Sequence, residues 1–264
     1  MKRQPRAKKS LGQHFLANSD YCQKIAQFAQ IGPEDTVVEI GPGTGQLTRV
    51  LLPLARKVIA VEFDRDLVRY LNEHFLKENE AAKHLDVIQA DILSFDWAVV
   101  GNKPFKVIGN LPYNIATQIL QNMLPIKDRF QSGTFLLQKE VAQRILSSPN
   151  SRDYGYFTLL MEYHFDRAAG FDVPPGAFVP PPKVVSQAIQ LKPRNSPFRV
   201  PDEPGFQTLL QNAFQQRRKT LWNNLKSGHD PESLESAFEV CRIPSRARPQ
   251  QVTLEQYACL GRML

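Results

Sequence analysis

The hydrophobic pattern changes period along the chain, and the changes mark its elements. Near the start, Tyr21, Ile25 and Phe28 recur at helical spacing, predicting a helix over residues 19–30 capped by Asn18 or Ser19. Short apolar runs then alternate with amphipathic stretches as far as about Leu191. Thr36-Val37-Val38, Lys57 to Glu62, Leu85 to Ala90, Phe105 to Gly109 and Gly133 to Gln138 read as buried strands. Helices are expected from Gln46 to Ala55, with Leu47, Val50, Leu51 and Leu54 on one face, and from Leu67 to Leu76. Such alternation predicts an α/β fold built on a mostly parallel, doubly wound sheet. Val184 to Leu191 reads as a late, antiparallel strand. Pro193, Pro197, Pro201 and Pro204 then mark a linker over residues 193–205. Beyond it, Phe206-Leu209-Leu210-Ala213-Phe214, Leu221-Leu225, Leu234-Phe238 and Leu254-Tyr257-Leu260 predict a small all-helical domain. The expected organisation is a flexible basic arm over 1–10, a sheet domain over 11–200 and a helical domain over 201–264.

Chemistry collects where the predicted strands end. The first runs into Glu39-Ile40-Gly41-Pro42-Gly43-Thr44-Gly45, where glycines let backbone approach a ligand closely. The second ends at Glu62, 21 residues after Gly41, a spacing that suits a carboxylate on ribose hydroxyls. The third ends at Asp91. The fourth runs into Asn110-Leu111-Pro112-Tyr113, where Pro112 stops the strand by lacking an N–H and forcing Leu111 out of the helical region. A side-chain amide, outward-turned carbonyls and an aromatic ring are thus held at one strand end. That set suits a planar heterocycle bearing an exocyclic amine. The turn is G-x-G-x-G with Glu39 before it, rather than the G-x-G-x-x-G of nicotinamide dinucleotide sites, and no phosphate-gripping P-loop motif occurs. The combination is the pattern of S-adenosylmethionine enzymes, which need ribose and adenine contacts but little anion binding.

The chain's 264 residues carry a net charge of +7, unevenly spread. Lys2, Arg3, Arg6, Lys8 and Lys9 crowd the N-terminal arm without an acid, whereas residues 201–264 hold eight basic and seven acidic groups. Local clusters remain at Arg217-Arg218-Lys219 and at Arg242, Arg246 and Arg248. Basic clusters are commonly solvated faces, but beside a base-modifying site phosphate contact becomes the better reading. No apolar run approaches the length of a membrane span, and the arm lacks the apolar core of a secretory signal, so a cytoplasmic protein is expected. Cys22, Cys241 and Cys259 are far apart and show no C-x-x-C, so we expect reduced structural thiols and no metal.

These motifs together resemble those of the bacterial KsgA/RsmA small-subunit rRNA adenine dimethyltransferases. The likeness is carried by Leu11-Gly12-Gln13-His14-Phe15-Leu16, by Glu39 to Gly45, Glu62 and Asp91, and by Asn110 to Tyr113. It extends through Phe178-Val179-Pro180-Pro181-Pro182-Lys183-Val184 and Arg217-Arg218-Lys219-Thr220-Leu221. Arg246-Ala247-Arg248-Pro249 departs from the pattern in carrying Arg where Glu is expected in many relatives. The resemblance implies a Rossmann-like class I S-adenosylmethionine-dependent methyltransferase sheet with a small helical C-terminal domain. It implies dimethylation of two adjacent adenosines in a 3′-terminal hairpin of 16S rRNA, within the small ribosomal subunit or its precursor. A monomer is expected.

By motif, Gln13, His14, Leu16, Glu39, Gly41, Gly43, Glu62, Asp91 and Asn110 would line the cofactor site. Gly41 would meet the methionine part, Glu62 the ribose and Asp91 the adenine amine. Asn110, Leu111, Pro112 and Tyr113 would hold the target base, with Phe178 facing Tyr113 across it. Lys8, Lys9, Arg217, Arg218, Lys219, Arg246 and Arg248 would contact RNA. The alternatives are an Erm-type methyltransferase of large-subunit rRNA and a non-catalytic RNA-binding assembly factor on the same fold. The intact Asn110 to Tyr113 motif disfavours the second.

Overall fold

A computed structural model describes residues 5–8, 11–78 and 83–264. Nine strands and ten α-helices are assigned among them. The central sheet has seven strands: β2 (Thr36–Ile40), β3 (Lys57–Glu62), β4 (Leu85–Gln89), β5 (Phe105–Asn110), β6 (Phe130–Gln138), β7 (Phe165–Val173) and β9 (Ser186–Pro193). Their order across the sheet is β4-β3-β2-β5-β6-β9-β7. Pairing is parallel from β4 through β6, whereas β9 runs antiparallel to β6, as the sequence predicts. The other two strands, β1 (Phe15–Leu16) and β8 (Phe178–Val179), form a separate antiparallel pair.

Parallel strands bury both faces, which explains their unbroken apolar runs. All five residues of β2 are buried. The helices α1 (Ser19–Phe28), α2 (Gln46–Leu51) and α3 (Arg65–Glu78) follow the expected amphipathic segments within a few residues. Asn18 caps α1, its side-chain oxygen accepting from the backbone N–H groups of Asp20 and Tyr21 and so satisfying two otherwise orphaned donors. Cys22 and Ile25 on α1 and Leu47 and Leu51 on α2 join Val37, Val58 and Ile108 in one core.

The chain divides into two compact units, Met1–Ala142 with Ala168–Pro193, and Gln143–Arg167 with Arg194–Leu264. This corrects the linear boundary expected near residue 200. The helix α6 (Tyr156–His164) belongs with the C-terminal helices because Leu159 and Tyr163 enter their core. That second core gathers Leu209 and Leu210 of α7 (Glu203–Ala213), Leu221 and Leu225 of α8 (Leu221–Leu225), Leu234 and Phe238 of α9 (Pro231–Val240), and Tyr257 and Leu260 of α10 (Leu254–Met263). The expected linker is also shorter. Pro204 lies in the first turn of α7, where a missing N–H costs nothing, and Asp202 caps that helix. The remaining helices are α4 (Ala116–Asn122) and α5 (Lys139–Leu146).

A second correction concerns the cysteines. Cys241 and Cys259 are disulfide-bonded; the turn after α9 and the helix α10 bring their Cα atoms to 5.6 Å. A separation of 18 in sequence conceals that proximity. Cys22 is the free thiol, and burial pushes its pKa up to about 12.

Candidate active site

The carboxyl ends of four adjacent parallel strands converge on one sheet edge, the edge where open α/β sheets bind ligands. Register aligns them. Ile40 pairs with Val61 on one side and Gly109 on the other, and Glu62 pairs with Gln89. Gly41, Glu62, Asp91 and Asn110 therefore share one rim. A cavity of ≈ 310 Å³ opens there, near the lower bound of ordinary ligand sites. Its walls include Gln13, His14, Leu16, Glu39, Gly41, Gly43, Glu62, Asp91 and Asn110, which are all the residues expected around the cofactor.

Gly41 and Gly43 have φ of +64° and +58°, the left-handed region that favours glycine. At Gly43 a Cβ would lie 2.7 Å from the Phe15 ring, so the turn and β1 can approach only because the side chain is absent. The Gly43 N–H donates to Glu62 Oε2 at 3.1 Å, and the Asp64 N–H donates to Glu62 Oε1 at 2.9 Å. Both carboxylate oxygens are thus aimed before any ligand arrives. Burial raises the Glu62 pKa, and these two N–H donors oppose the rise. Glu39 is buried more deeply. Burial drives its pKa up to about 7 although Thr48 Oγ1 donates to it at 2.6 Å, and the nearby Glu62 charge adds to the rise. Asp91 is exposed and accepts from the Leu93 N–H at 2.9 Å.

At the end of β5, Asn110 Nδ2 donates to the His14 carbonyl at 2.8 Å. This bond fixes which way the amide faces. Its Oδ1 is buried and has no hydrogen-bond partner in the structure. A buried acceptor left open costs about 1–3 kcal/mol, so its presence beside a cavity points to a donor that arrives with a ligand. Leu111 N–H donates to the Leu136 carbonyl at 3.2 Å, and Ile115 N–H donates to the Pro112 carbonyl at 3.1 Å, which set the turn after the strand. The Tyr113 hydroxyl and Ser186 Oγ lie 2.6 Å apart, and the Tyr113 ring stacks near His14 with centroids at 5.7 Å. Burial raises the Tyr113 pKa, so the phenol stays neutral.

Three of the expected site residues are engaged elsewhere in the structure. Phe178 is 2% exposed and absent from the cavity wall; it pairs with Leu16 across β1 and β8 and packs in the sheet core. His14, not Phe178, is the ring beside Tyr113. Lys8 is engaged by protein carboxylates, at 2.6 Å from Asp64 and 2.9 Å from Asp66, rather than presented to a polyanion. Arg217 donates to the Arg152 carbonyl at 2.7 Å within the helical unit. Arg218, Lys219, Arg246 and Arg248 are exposed on that unit. Lys9 lies outside the described residues.

Two contributors escaped the sequence reading. Phe63 lines the cavity and is 58% exposed, an apolar face next to Asp91 and Ile92. Its place directly after a strand-end carboxylate was the available signal. Asp64 is buried, and nothing in the sequence marks it apart from other acids.

The sheet order, the glycine turn and the rim carboxylates define a class I methyltransferase with an amide-bearing site for a nitrogen acceptor. The particular family follows from comparison. The profile of the ribosomal RNA adenine dimethylase family matches residues 4–261, and the chain belongs to that family. Among its relatives is the ribosomal RNA small subunit methyltransferase A of Francisella tularensis, 42% identical over 230 residues, which are 86% of each protein. The protein of the same name from Clostridium botulinum is 39% identical over 257 residues, 96% of this chain and 92% of that one. Among solved structures, a dimethyladenosine transferase from Plasmodium falciparum matches with a TM-score of 0.81 at 26% identity, covering 94% of this chain and 96% of that one. The 23S rRNA methyltransferase ErmE matches with a TM-score of 0.72 at 25% identity, covering 95% and 99%.

Proposed function

We propose that this protein transfers methyl groups from S-adenosylmethionine to the exocyclic amines of two adjacent adenosines in a 3′-terminal hairpin of 16S rRNA. The observation that carries this reading is the buried, unpartnered Oδ1 of Asn110, oriented by the His14 carbonyl at the cavity rim. The residues present fit the cofactor. Gly41 leaves room for its methionine part, the aligned Glu62 carboxylate meets ribose hydroxyls, Asp91 accepts the adenine amine, and Phe63 and Ile92 offer apolar faces to the adenine ring. When bound, the cofactor supplies a methyl carbon already activated by its sulfonium charge.

The chain's own groups do the rest by positioning. An adenine amine is a weak nucleophile because its lone pair is delocalised into the ring. Asn110 Oδ1 accepts one N–H and the Leu111 carbonyl the other, which favours a pyramidal nitrogen with its lone pair aimed at the methyl carbon. Holding reactants in line supplies most of the rate, and fixed dipoles stabilise the positive charge that grows on nitrogen. The amide accepts without adding a charge. Transfer would leave the methyl C–S bonding pair on the departing thioether, and the proton on the newly cationic nitrogen would then pass to water. In the second round one N–H remains for Asn110, and the first methyl group occupies the space of the Leu111 contact. Tyr113, fixed through Ser186, offers a ring face to the extruded base; such stacking is worth about 1–3 kcal/mol per base.

Arg218, Lys219, Arg246 and Arg248 serve as phosphate contacts. The protein works as a cytoplasmic monomer, and no helix among the described residues is long and apolar enough to cross a membrane. The deciding experiment is transfer of labelled methyl groups to small ribosomal subunits lacking the modification, with Asn110→Ala alongside. Dimethyladenosine at two neighbouring positions, absent with the variant, is the expected result. Transfer to large-subunit rRNA instead would favour the Erm-type reading, and cofactor binding without transfer a non-catalytic factor.

A further inference from the structure

The N-terminal arm reaches the cofactor cavity through one buried carboxylate. Asp64 follows β3 by two residues and is 4% exposed. Its Oδ1 accepts from Lys8 Nζ at 2.6 Å and from the Asp66 N–H at 3.0 Å, and its Oδ2 accepts from Gln13 Nε2 at 3.3 Å. Gln13 Oε1 in turn accepts from the Lys8 N–H at 2.7 Å, closing a ring of bonds between the arm and the β3–α3 loop. Asp66 adds a second carboxylate on Lys8 at 2.9 Å.

The position of this ring gives it a role. Residues Leu11 to Leu16 form one wall of the cavity, immediately after the clasp. Asp64 also donates its own N–H to Glu62, the carboxylate assigned to the ribose. On the other side, His14 is adjacent to Gln13 and its carbonyl holds the Asn110 amide. One buried carboxylate therefore joins the ribose-facing loop to the segment that covers the cavity and orients the acceptor amide. Beyond the Asn110 bond, that segment is also tied down by the β1–β8 pair, by the His14 ring nitrogen Nδ1 at 2.8 Å from the Pro180 carbonyl, and by the Ala17 and Asn18 N–H groups donating to the Ala177 carbonyl, while at its near end the Leu11 N–H donates to the Lys8 carbonyl of the clasp itself.

We infer that Asp64 is a positioning residue: with Lys8 and Gln13 it clasps residues 11–16 shut over the bound cofactor and so sets how long the cofactor stays. The inference rests on the reading of the cavity as an S-adenosylmethionine site. Burial opposes the Asp64 charge, but the Lys8 hydrogen bond and the Asp66 and Gln13 donors together hold its pKa below the ordinary aspartate range, so the clasp is charged at neutral pH. Lys8 is shifted the opposite way by the same Asp64 and Asp66 bonds. A charged, half-solvated clasp is weakened by salt, because screening acts on the exposed Lys8 end. No ligand charge need be involved.

The test uses the full chain and S-adenosylhomocysteine, whose thioether carries no sulfonium charge, as the probe. Dissociation is followed by stopped flow for the wild type, Lys8→Gln, Asp64→Asn and the double variant, with hydrogen exchange at Leu11 to Leu16 in the free proteins. Each single variant should release the probe about tenfold faster, the loss expected when one charge-assisted hydrogen bond goes. The double variant should lose clearly less than the sum of the two single ones, since both remove the Lys8–Asp64 bond. Exchange at Leu11 to Leu16 should accelerate in Lys8→Gln at an unchanged melting temperature, and the wild-type off-rate, but not the variants', should rise with salt. KM for S-adenosylmethionine should rise more than kcat falls. Lys8→Gln is exposed enough to fold even if Asp64→Asn does not. Dissociation and exchange matching the wild type in Lys8→Gln, or additive losses in the double variant, would overturn the clasp. A wild type that fails to bind the probe would instead overturn the cavity reading on which the clasp depends.

Discussion

Asn110 Nδ2 and the His14 carbonyl, 96 residues apart in sequence, meet at 2.8 Å, and this bond turns the opposite side of the amide into an open acceptor. An aspartate at this position could accept but not donate. Asn110→Asp places a carboxylate oxygen against the His14 carbonyl, so the group must rotate away. Methyl transfer should fall about 10²-fold or more, comparable to losing one preorganised donor or acceptor. S-adenosylhomocysteine should still bind. Wild-type kcat in this variant would remove Asn110 from the chemistry.

Tyr113 is held at its far end rather than by its ring alone. Ser186, fully buried at the start of β9, shares a hydrogen bond with the phenol at 2.6 Å. Removing either partner strands the other, at about 1–3 kcal/mol. Tyr113→Phe and Ser186→Ala should therefore each reduce kcat moderately, and the double variant should lose less than the sum. Tyr113→Ala should lose far more, because the ring goes too. Equal effects of Phe and Ala at this position would show that stacking is not the role.

Arg218 and Lys219 are exposed after α7, on a turn that presents them to solvent. Each phosphate contact contributes a nearly constant share to the salt slope of nucleic-acid binding. Replacing both by Gln should weaken binding of a 16S-derived hairpin and reduce that slope by about two in log–log terms. An unchanged slope, measured by filter binding over a salt series, would return them to the solvated surface.

The sheet was legible because its signals are local. Four of the five parallel strands, β2 to β5, are apolar runs closed by a glycine, an acid or a proline turn, and Asn18 announces α1 by its side-chain chemistry. The antiparallel β9 was legible for the same reason. Strand β7 was hidden, since Arg167 interrupts the alternating face of Phe165, Ala169, Phe171 and Val173, and Ala168 and Gly170 leave no polar alternation opposite it. The division of the chain was hidden too. Tyr154, Leu159 and Tyr163 are as apolar as any sheet-packing helix, and only tertiary contact shows that they serve the helical core. Lys8 looked like an RNA contact because its partner Asp64 stands 56 residues away. Position within a motif says which residues gather, not which face a side chain turns.

Phe178 makes that distinction testable. It packs among Leu16, Cys22, Ile25 and Leu47, so shortening it should act on stability. Phe178→Leu should cost about 1 kcal/mol and Phe178→Ala about 3–5 kcal/mol. At a temperature where the Leu variant is folded, its methyl transfer should stay close to that of the wild type. A melting temperature unmoved in Phe178→Leu together with lost transfer would put the ring back against the base.

Glu39 ties the cavity to pH. Its carboxyl sits near 4.5 in an unfolded chain and is pushed up to about 7 by burial in the fold. The folded state therefore holds a proton that the unfolded state has released between those two values. Stability is highest below the unfolded pKa, declines as pH rises through this window, and is level above it. Glu62 is shifted the same way, so Glu39→Gln should remove part of the decline, not all of it. Gln keeps an oxygen for the Thr48 hydroxyl without carrying a charge. The variant should thus be more stable than the wild type at pH 8 and nearly equal at pH 5, as read by thermal unfolding at both values. Binding of the cationic cofactor beside these carboxyls favours their charged forms, so the wild type should release protons on binding near pH 7. Calorimetry in buffers of different ionisation enthalpy measures that release directly. A variant with the wild-type pH slope and undiminished proton release would show that Glu39 is already ionised in the fold.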